Sequence, residues 1–136
     1  MSVLASVLAA LVVARVFIVA RMKTRVLARR AVHAGEFVVR DAGPWRELVF
    51  IADRAMVHTR VARGNDLASG FAYTDAFHLG PVLAGGCQRA LFLGGGGAIA
   101  PRQFVAFYDG AHVDVVDLHP EAFELARAYF GLEAAD

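Results

Sequence analysis

Four consecutive glycines, Gly94, Gly95, Gly96 and Gly97, follow a short apolar run and precede a segment with helical spacing. Asp117 ends a second apolar run, 23 residues after Gly94 and 21 after Gly96. In a strand–helix–strand unit that binds nucleotides, glycines let the backbone approach the ligand, and an acid about 20 residues further on accepts hydrogen bonds from ribose hydroxyls. The combination predicts a site for a ligand that contains a ribose.

The glycine run has two interpretations. Either a ligand lies against backbone N–H groups at the N-terminus of the following helix, or the run is a tight strand-to-helix turn without a ligand. No Lys-Ser/Thr pair follows the glycines, which argues against a nucleoside triphosphate. A nicotinamide cofactor is also disfavoured, because the Gly-x-Gly-x-x-Gly spacing would need glycine where Ile99 stands.

Tyr73 and Asp75 form a second group of candidate site residues. They lie at the start of a short helix predicted over residues 73–83 and interrupted near residues 80–81. Asp75 has two interpretations, a contact to a ligand or a favourable charge in the first helical turn. His78 follows three residues later and is interpreted as a partly exposed packing residue rather than a catalytic base.

The surrounding pattern predicts the elements that position these residues. Two runs at 91–93 and 113–116 are too apolar for strands with one wet face, which favours parallel strands covered on both faces. Helical spacing over residues 98–108 lies between them, and an amphipathic helix follows over residues 120–130. Upstream, β-branched and aromatic runs flank a two-residue link, which predicts a small antiparallel sheet with a hairpin over residues 36–62.

The first 34 residues predict a contact with a membrane. Residues 2–20 contain a single charge, Arg15, and as a helix they would be about 28 Å long, close to the hydrocarbon thickness of a bilayer. By the positive-inside rule, the basic cluster that follows places the folded part in the cytoplasm, and residues 21–34 are expected to continue the helix on anionic lipid. The alternatives are a secretory signal peptide, a helix packed on a partner in a cytoplasmic protein, and a start that is not natively translated.

Charge and cysteine content exclude several kinds of partner and site. From residue 31 onward the chain has 8 basic and 13 acidic side chains, a net charge of −5, which argues against nucleic acid as a partner. Cys87 is the only cysteine, so an intrachain disulfide is excluded. A zinc site built from cysteine and histidine is not expected for the same reason.

Taken together, these motifs resemble the spermidine synthase (polyamine aminopropyltransferase) family, a branch of the S-adenosylmethionine-dependent methyltransferase superfamily. The resemblance covers about residues 36–133, and the hydrophobic N-terminus is similar to that of membrane-fused members of the group. The residues that carry it are 73–75, 89–97, 101–102, 116–120 and 126–130.

The resemblance implies a fold and a domain division. The fold would be α/β, an incomplete Rossmann-like (class I methyltransferase) parallel sheet preceded by a small antiparallel β-hairpin domain and an N-terminal apolar helix. The domains would be a membrane-associated helix with a basic flank at 1–34, a small β-domain at 35–66, and the N-terminal part of the nucleotide-binding domain at 67–136.

The resemblance also implies the ligand and its contacts. S-adenosylmethionine or its decarboxylated form would be the co-substrate, with its amino-acid or aminopropyl end on residues 94–97 and its ribose on Asp117 and the adjacent Leu118. Tyr73 and Asp75 would lie beside the acceptor, a polyamine or another amine, which receives an aminopropyl group.

Three departures from the family pattern leave other functions open. The family's histidine between the tyrosine and the acid is Thr74, the acid after three glycines is Gly97, and the chain stops at Asp136, before the family's catalytic Asp. One alternative is an S-adenosylmethionine-dependent methyltransferase, and another is a non-catalytic binding module or an inactive fragment. Catalytic residues therefore stay unassigned. The unpaired edges of so short a parallel sheet would favour a homo-oligomer.

Overall fold

The structure, a computed structural model, describes residues 24–133. Within this range it consists of a five-stranded antiparallel sheet, a two-stranded parallel sheet and four helices. The antiparallel sheet follows chain order, with strands β1 (Arg25–Val32), β2 (Gly35–Ala42), β3 (Trp45–Ile51), β4 (Ala55–Ala62) and β5 (Asn65–Ser69). The remaining elements are α1 (Ala72–Ala76), α2 (Leu79–Ala84), β6 (Arg89–Leu93), α3 (Ile99–Phe107), β7 (His112–Val116) and α4 (Pro120–Tyr129).

The predicted fold class, a Rossmann-like parallel sheet with a small antiparallel addition, is wrong. The antiparallel sheet is the larger part, with five strands against two in the parallel sheet. The error begins at residues 21–34, which were expected to be helical, because β1 forms there and pairs with β2 from Arg25 to Val32. Pairing with a buried strand satisfies the backbone groups along one edge of β1. Arg29 adds an ion pair with Glu36 at 2.6 Å.

The predicted apolar helix at residues 2–20 lies outside the described residues. Among residues 24–133, none of the helices is both long enough and apolar enough to cross a bilayer. The membrane anchor and the cytoplasmic placement of the folded part stay predictions.

Two smaller predicted units are confirmed. β3 and β4 form the hairpin around the link at residues 53–54, and β6 and β7 are parallel strands connected by α3. The helix predicted over residues 73–83 is divided, but the break falls at Phe77 and His78 instead of residues 80–81. Pro81 lies in the first turn of α2, where its missing N–H removes no helical hydrogen bond.

One hydrophobic core joins the antiparallel sheet to α3 and α4. Its buried side chains come from β2, β3, β4, α3, α4 and the residue after α4: Phe37, Val39, Leu48, Val61, Ile99, Ala122, Leu125 and Phe130. Hydrogen bonds add to this packing, since Arg102 of α3 donates to the carbonyl oxygens of Asp66 and Phe130. The start of α3, and the glycine turn before it, are thereby fixed against the antiparallel sheet.

The parallel sheet is covered on one face only, contrary to the prediction. Phe92 of β6 packs on Phe104 of α3, with 5.0 Å between ring centroids. On the opposite face, Leu91 and Leu93 are 61 % and 81 % exposed, and Leu118 after β7 is also exposed. Among the described residues, these apolar strands therefore have one face open to solvent and are not buried on both sides.

Candidate functional site

The glycine turn, residues 94–97, connects β6 to α3, and Asp117 follows β7 directly beside it. Because the two strands are parallel, their C-terminal ends meet at one edge of the sheet. Oδ2 of Asp117 accepts hydrogen bonds from the N–H groups of Gly95 at 2.7 Å and Gly96 at 3.2 Å, and Oδ1 accepts from the N–H of His119 at 3.0 Å. The carboxylate therefore holds both the turn and the connection to α4.

Thr59 of β4 closes the turn from the side of the antiparallel sheet. Its Oγ1 accepts a hydrogen bond from the N–H of Gly97 at 2.7 Å, and the residue is buried. A Cβ atom at position 97 would lie 2.7 Å from Cγ2 of Thr59 and 3.0 Å from its Oγ1, so a side chain there needs the strand to move. Gly96 is constrained twice, by the same Oγ1 and by a φ of 51°, where side chains are disfavoured.

All four N–H groups of the glycine turn have partners within the chain. Besides the bonds to Asp117 and Thr59, Gly94 donates to the carbonyl oxygen of Val116 at 2.7 Å. A ligand lying against these N–H groups, as the sequence suggested, would have to displace an internal hydrogen bond. A carboxylate has roughly four lone-pair sites, and three hydrogen bonds to Asp117 leave one of them for a ligand.

The charge of Asp117 is favoured by its surroundings. Partial burial would raise the pKa of Asp117, but the N–H groups of Gly95, His119 and Gly96, together with the nearby His119 ring, hold it below its ordinary value of 3.8. A pKa that is lower in the folded than in the unfolded chain has a defined effect on stability. This carboxylate stabilises the fold above the unfolded pKa and loses that contribution as the pH falls through the folded one.

A cleft of about 1230 Å³ lies beside the glycine turn, between β4, the α1–α2 segment and the ends of β6 and β7. It brings together most of the predicted site residues, namely Tyr73, Gly94, Gly95, Gly96, Asp117 and Leu118. Two predicted residues do not line it, because Gly97 is buried behind Thr59 and Asp75 is exposed on α1. The cleft is large enough for a ligand of nucleoside size.

Neighbouring residues of β4, His58 and Thr59, both line the cleft, and the sequence did not predict this. Val57 and Thr59 pair with successive residues of β3, which leaves His58 as the extra residue of a β-bulge. His58 is exposed and Thr59 is buried, as is usual for neighbouring residues of a strand, whose side chains point to opposite faces. The bulge, which turns both side chains toward one cleft, has no signal in the local pattern.

His119 joins His58 at the cleft wall. Both rings pack on Phe37, with centroid distances of 5.4 Å for His119 and 6.0 Å for His58. Partial burial of the His58 ring lowers its pKa, and the charge of Asp117 opposes this shift. Across residues 24–133, no three side chains of metal-binding type are grouped closely enough to hold an ion.

His78 is a packing residue, as predicted. Its Nδ1 lies 3.0 Å from the hydroxyl oxygen of Tyr108, and its ring stacks on Phe104 with 4.8 Å between centroids. Asp75 is exposed in the first turn of α1, which is the arrangement expected if its charge only complements the helix dipole.

Comparison of the chain with protein-family models, with curated proteins and with solved structures found no match. The resemblance to the spermidine synthase family therefore stays a prediction from the motifs. Any function has to be argued from the cleft and its residues.

Proposed function

We propose that the cleft binds S-adenosylmethionine or its decarboxylated form and that the protein transfers a group from this co-substrate. The observation that carries the proposal is the carboxylate of Asp117 on the cleft wall. Three N–H groups fix its position and favour its charge, and the described residues leave one of its roughly four lone-pair sites without a donor. A fixed acceptor of this kind suits a ribose hydroxyl, as in other sites where an acid follows a strand near a glycine turn.

The chemistry of such a co-substrate is a displacement at a carbon bound to a sulfonium. A nucleophilic atom of the acceptor forms a bond to that carbon, and the carbon–sulfur bond breaks. The thioether leaves with the electron pair, as S-adenosylhomocysteine after methyl transfer or methylthioadenosine after aminopropyl transfer, and the proton of the acceptor passes to a base or to water. The cleft contributes binding and orientation of the reactants.

The contact between Thr59 and Gly97 favours methyl transfer over aminopropyl transfer to a polyamine. Position 97 has no room for the family's acid, because Thr59 occupies the space that a Cβ would need. Among the described residues that line the cleft, Asp117 is the only carboxylate. A polyamine carries several ammonium groups, which are costly to enclose without anionic partners.

Calorimetric titration of the full chain with S-adenosylmethionine and with its decarboxylated form tests this proposal. We expect both to bind and Asp117→Asn to weaken binding by about 10-fold, as for loss of a hydrogen bond to a charged group. Asp114→Asn is the matched control, since Asp114 is an exposed acid of β7 outside the cleft. The absence of heat with both ligands, or equal affinities of Asp117→Asn and Asp114→Asn for the ligand that binds, contradicts the proposal. Binding without group transfer favours the non-catalytic alternative.

A further inference from the structure

An aromatic wall forms the side of the cleft at α1. The rings of Phe71 and Tyr73 are stacked, with 5.4 Å between centroids and 19° between planes. Tyr73 meets Phe77 edge to face at 5.7 Å, and Phe77 meets Phe92 in the same way at 5.9 Å. All four rings line the cleft.

Two of these rings are largely exposed to solvent and are accessible to a ligand. Tyr73 is 51 % exposed and Phe77 is 45 % exposed, although both belong to a contiguous aromatic surface. Exposed apolar surface of this kind, within a concave site and beside a few polar groups, is typical of ligand-binding clefts. A flat ring laid on Tyr73 would extend the existing stack.

The charges around the cleft do not suit a polyamine on this wall. The formally positive side chains among its described lining residues, Arg60 and Arg89, are both paired, with Glu47 at 2.7 Å and with Asp114 at 3.5 Å. Asp75, the acid that the resemblance placed beside the substrate, lies outside the cleft. The ammonium groups of a polyamine would therefore find Asp117 as the one carboxylate among the described lining residues, and three N–H groups already donate to it.

We propose that the acceptor substrate is a planar aromatic molecule, stacked on Tyr73 and Phe77. The inference rests on the proposed function, since it names the acceptor for the co-substrate held at Asp117. It replaces the polyamine that the resemblance implies. The geometry supports this class of molecule, because a flat ring extends the stack of Phe71 and Tyr73.

The test compares two ligands with the same carbon skeleton, one flat and aromatic and the other saturated. Binding of 2-naphthol and of its saturated analogue, decahydro-2-naphthol, is measured calorimetrically on the full chain, with putrescine as the polyamine probe. We expect 2-naphthol to bind roughly 3- to 10-fold more tightly than the saturated analogue, the range of an aromatic pair, and putrescine not to compete. Equal affinities for the two naphthol forms, or displacement of 2-naphthol by putrescine, would overturn the inference.

Variants of the wall make the test specific. Tyr73→Leu should weaken 2-naphthol binding by roughly 3- to 10-fold, whereas Tyr73→Phe should retain it. Phe107→Leu removes an exposed ring outside the cleft and should change nothing. Unchanged 2-naphthol affinity in Tyr73→Leu contradicts the inference.

A parallel titration with S-adenosylhomocysteine on the same variants separates the two proposals. Binding that is normal in Tyr73→Leu and weakened in Asp117→Asn supports the co-substrate site independently of the acceptor. If 2-naphthol binds through Tyr73 while S-adenosylhomocysteine gives no heat, the proposed function is wrong and the aromatic site stands. If S-adenosylhomocysteine binds and 2-naphthol does not, the inference about the acceptor is wrong and the proposed co-substrate site stands.

Discussion

Gly97→Asp is expected to destabilise the protein by about 3–4 kcal/mol, the largest effect of any single change discussed. The new Cβ would lie 2.7 Å from Cγ2 of Thr59, and overpacking of a buried site costs about 1–3 kcal/mol. The carboxylate adds the penalty of a buried charge without a cationic partner. Thermal unfolding followed by circular dichroism measures the effect.

Two further variants keep this prediction testable if Gly97→Asp does not fold. Gly97→Ala should cost about 1–3 kcal/mol, and less in a Thr59→Ala background, where Cγ2 and Oγ1 are gone. Gly80→Ala is the matched control, because Gly80 lies in α2 with open space around its missing Cβ. An equal cost of Gly97→Ala in both backgrounds would show that the contact with Thr59 does not set the residue at position 97.

Asp117→Ala is expected to destabilise the protein by about 2–3 kcal/mol and lower Tm by about 10 °C. The substitution removes the acceptor for the N–H groups of Gly95, Gly96 and His119. Hydrogen bonds to a charged group contribute about 1.5–3 kcal/mol each to stability. At a half-buried site, water accepts from some of the N–H groups that lose Asp117, so the total loss is smaller than the sum over three bonds. Asp114→Ala, on the same strand but exposed, should change Tm little, because exposed ion pairs contribute about 0–1 kcal/mol.

The effect of Asp117 should depend on pH in a defined direction. Because the fold lowers the pKa of Asp117, its contribution is present above the ordinary value of 3.8 and is lost on acidification. The difference in unfolding free energy between the natural protein and Asp117→Ala should therefore shrink as the pH falls below about 4. A difference that stays constant between pH 7 and pH 3 would mean that the carboxylate charge does not hold the turn.

The parts of the fold that the sequence predicted correctly are those with a local signal. The hairpin of β3 and β4 follows from two β-branched runs around a two-residue link, and the parallel pair follows from apolar runs flanking a helical segment. β1 was missed because its basic residues have no clear strand alternation. It is stabilised by pairing with β2, which is a contact between segments and not a local preference.

For the candidate site too, the sequence predicted the features that have a local signal and missed the contacts between distant segments. Glycine spacing and the acid placed Asp117 at the turn, where the structure has it. Thr59 lies 38 positions before Gly97, so its contact with the turn depends on how the two sheets pack. Residue spacing along the chain does not predict that contact, and it does not predict the bulge that turns His58 toward the same cleft.

Binding of a ribose hydroxyl to Asp117 is tested with the unmodified chain and three small ligands: adenosine, 2′-deoxyadenosine and 3′-deoxyadenosine. Asp117 holds the glycine turn through two hydrogen bonds and accepts a third from the N–H of His119, which among the described residues leaves one lone-pair site for a ribose hydroxyl. We expect one deoxy analogue to bind at least about 10-fold more weakly than adenosine and the other to bind about as well. Equal affinities for all three ligands, or no binding of adenosine at all, would contradict it.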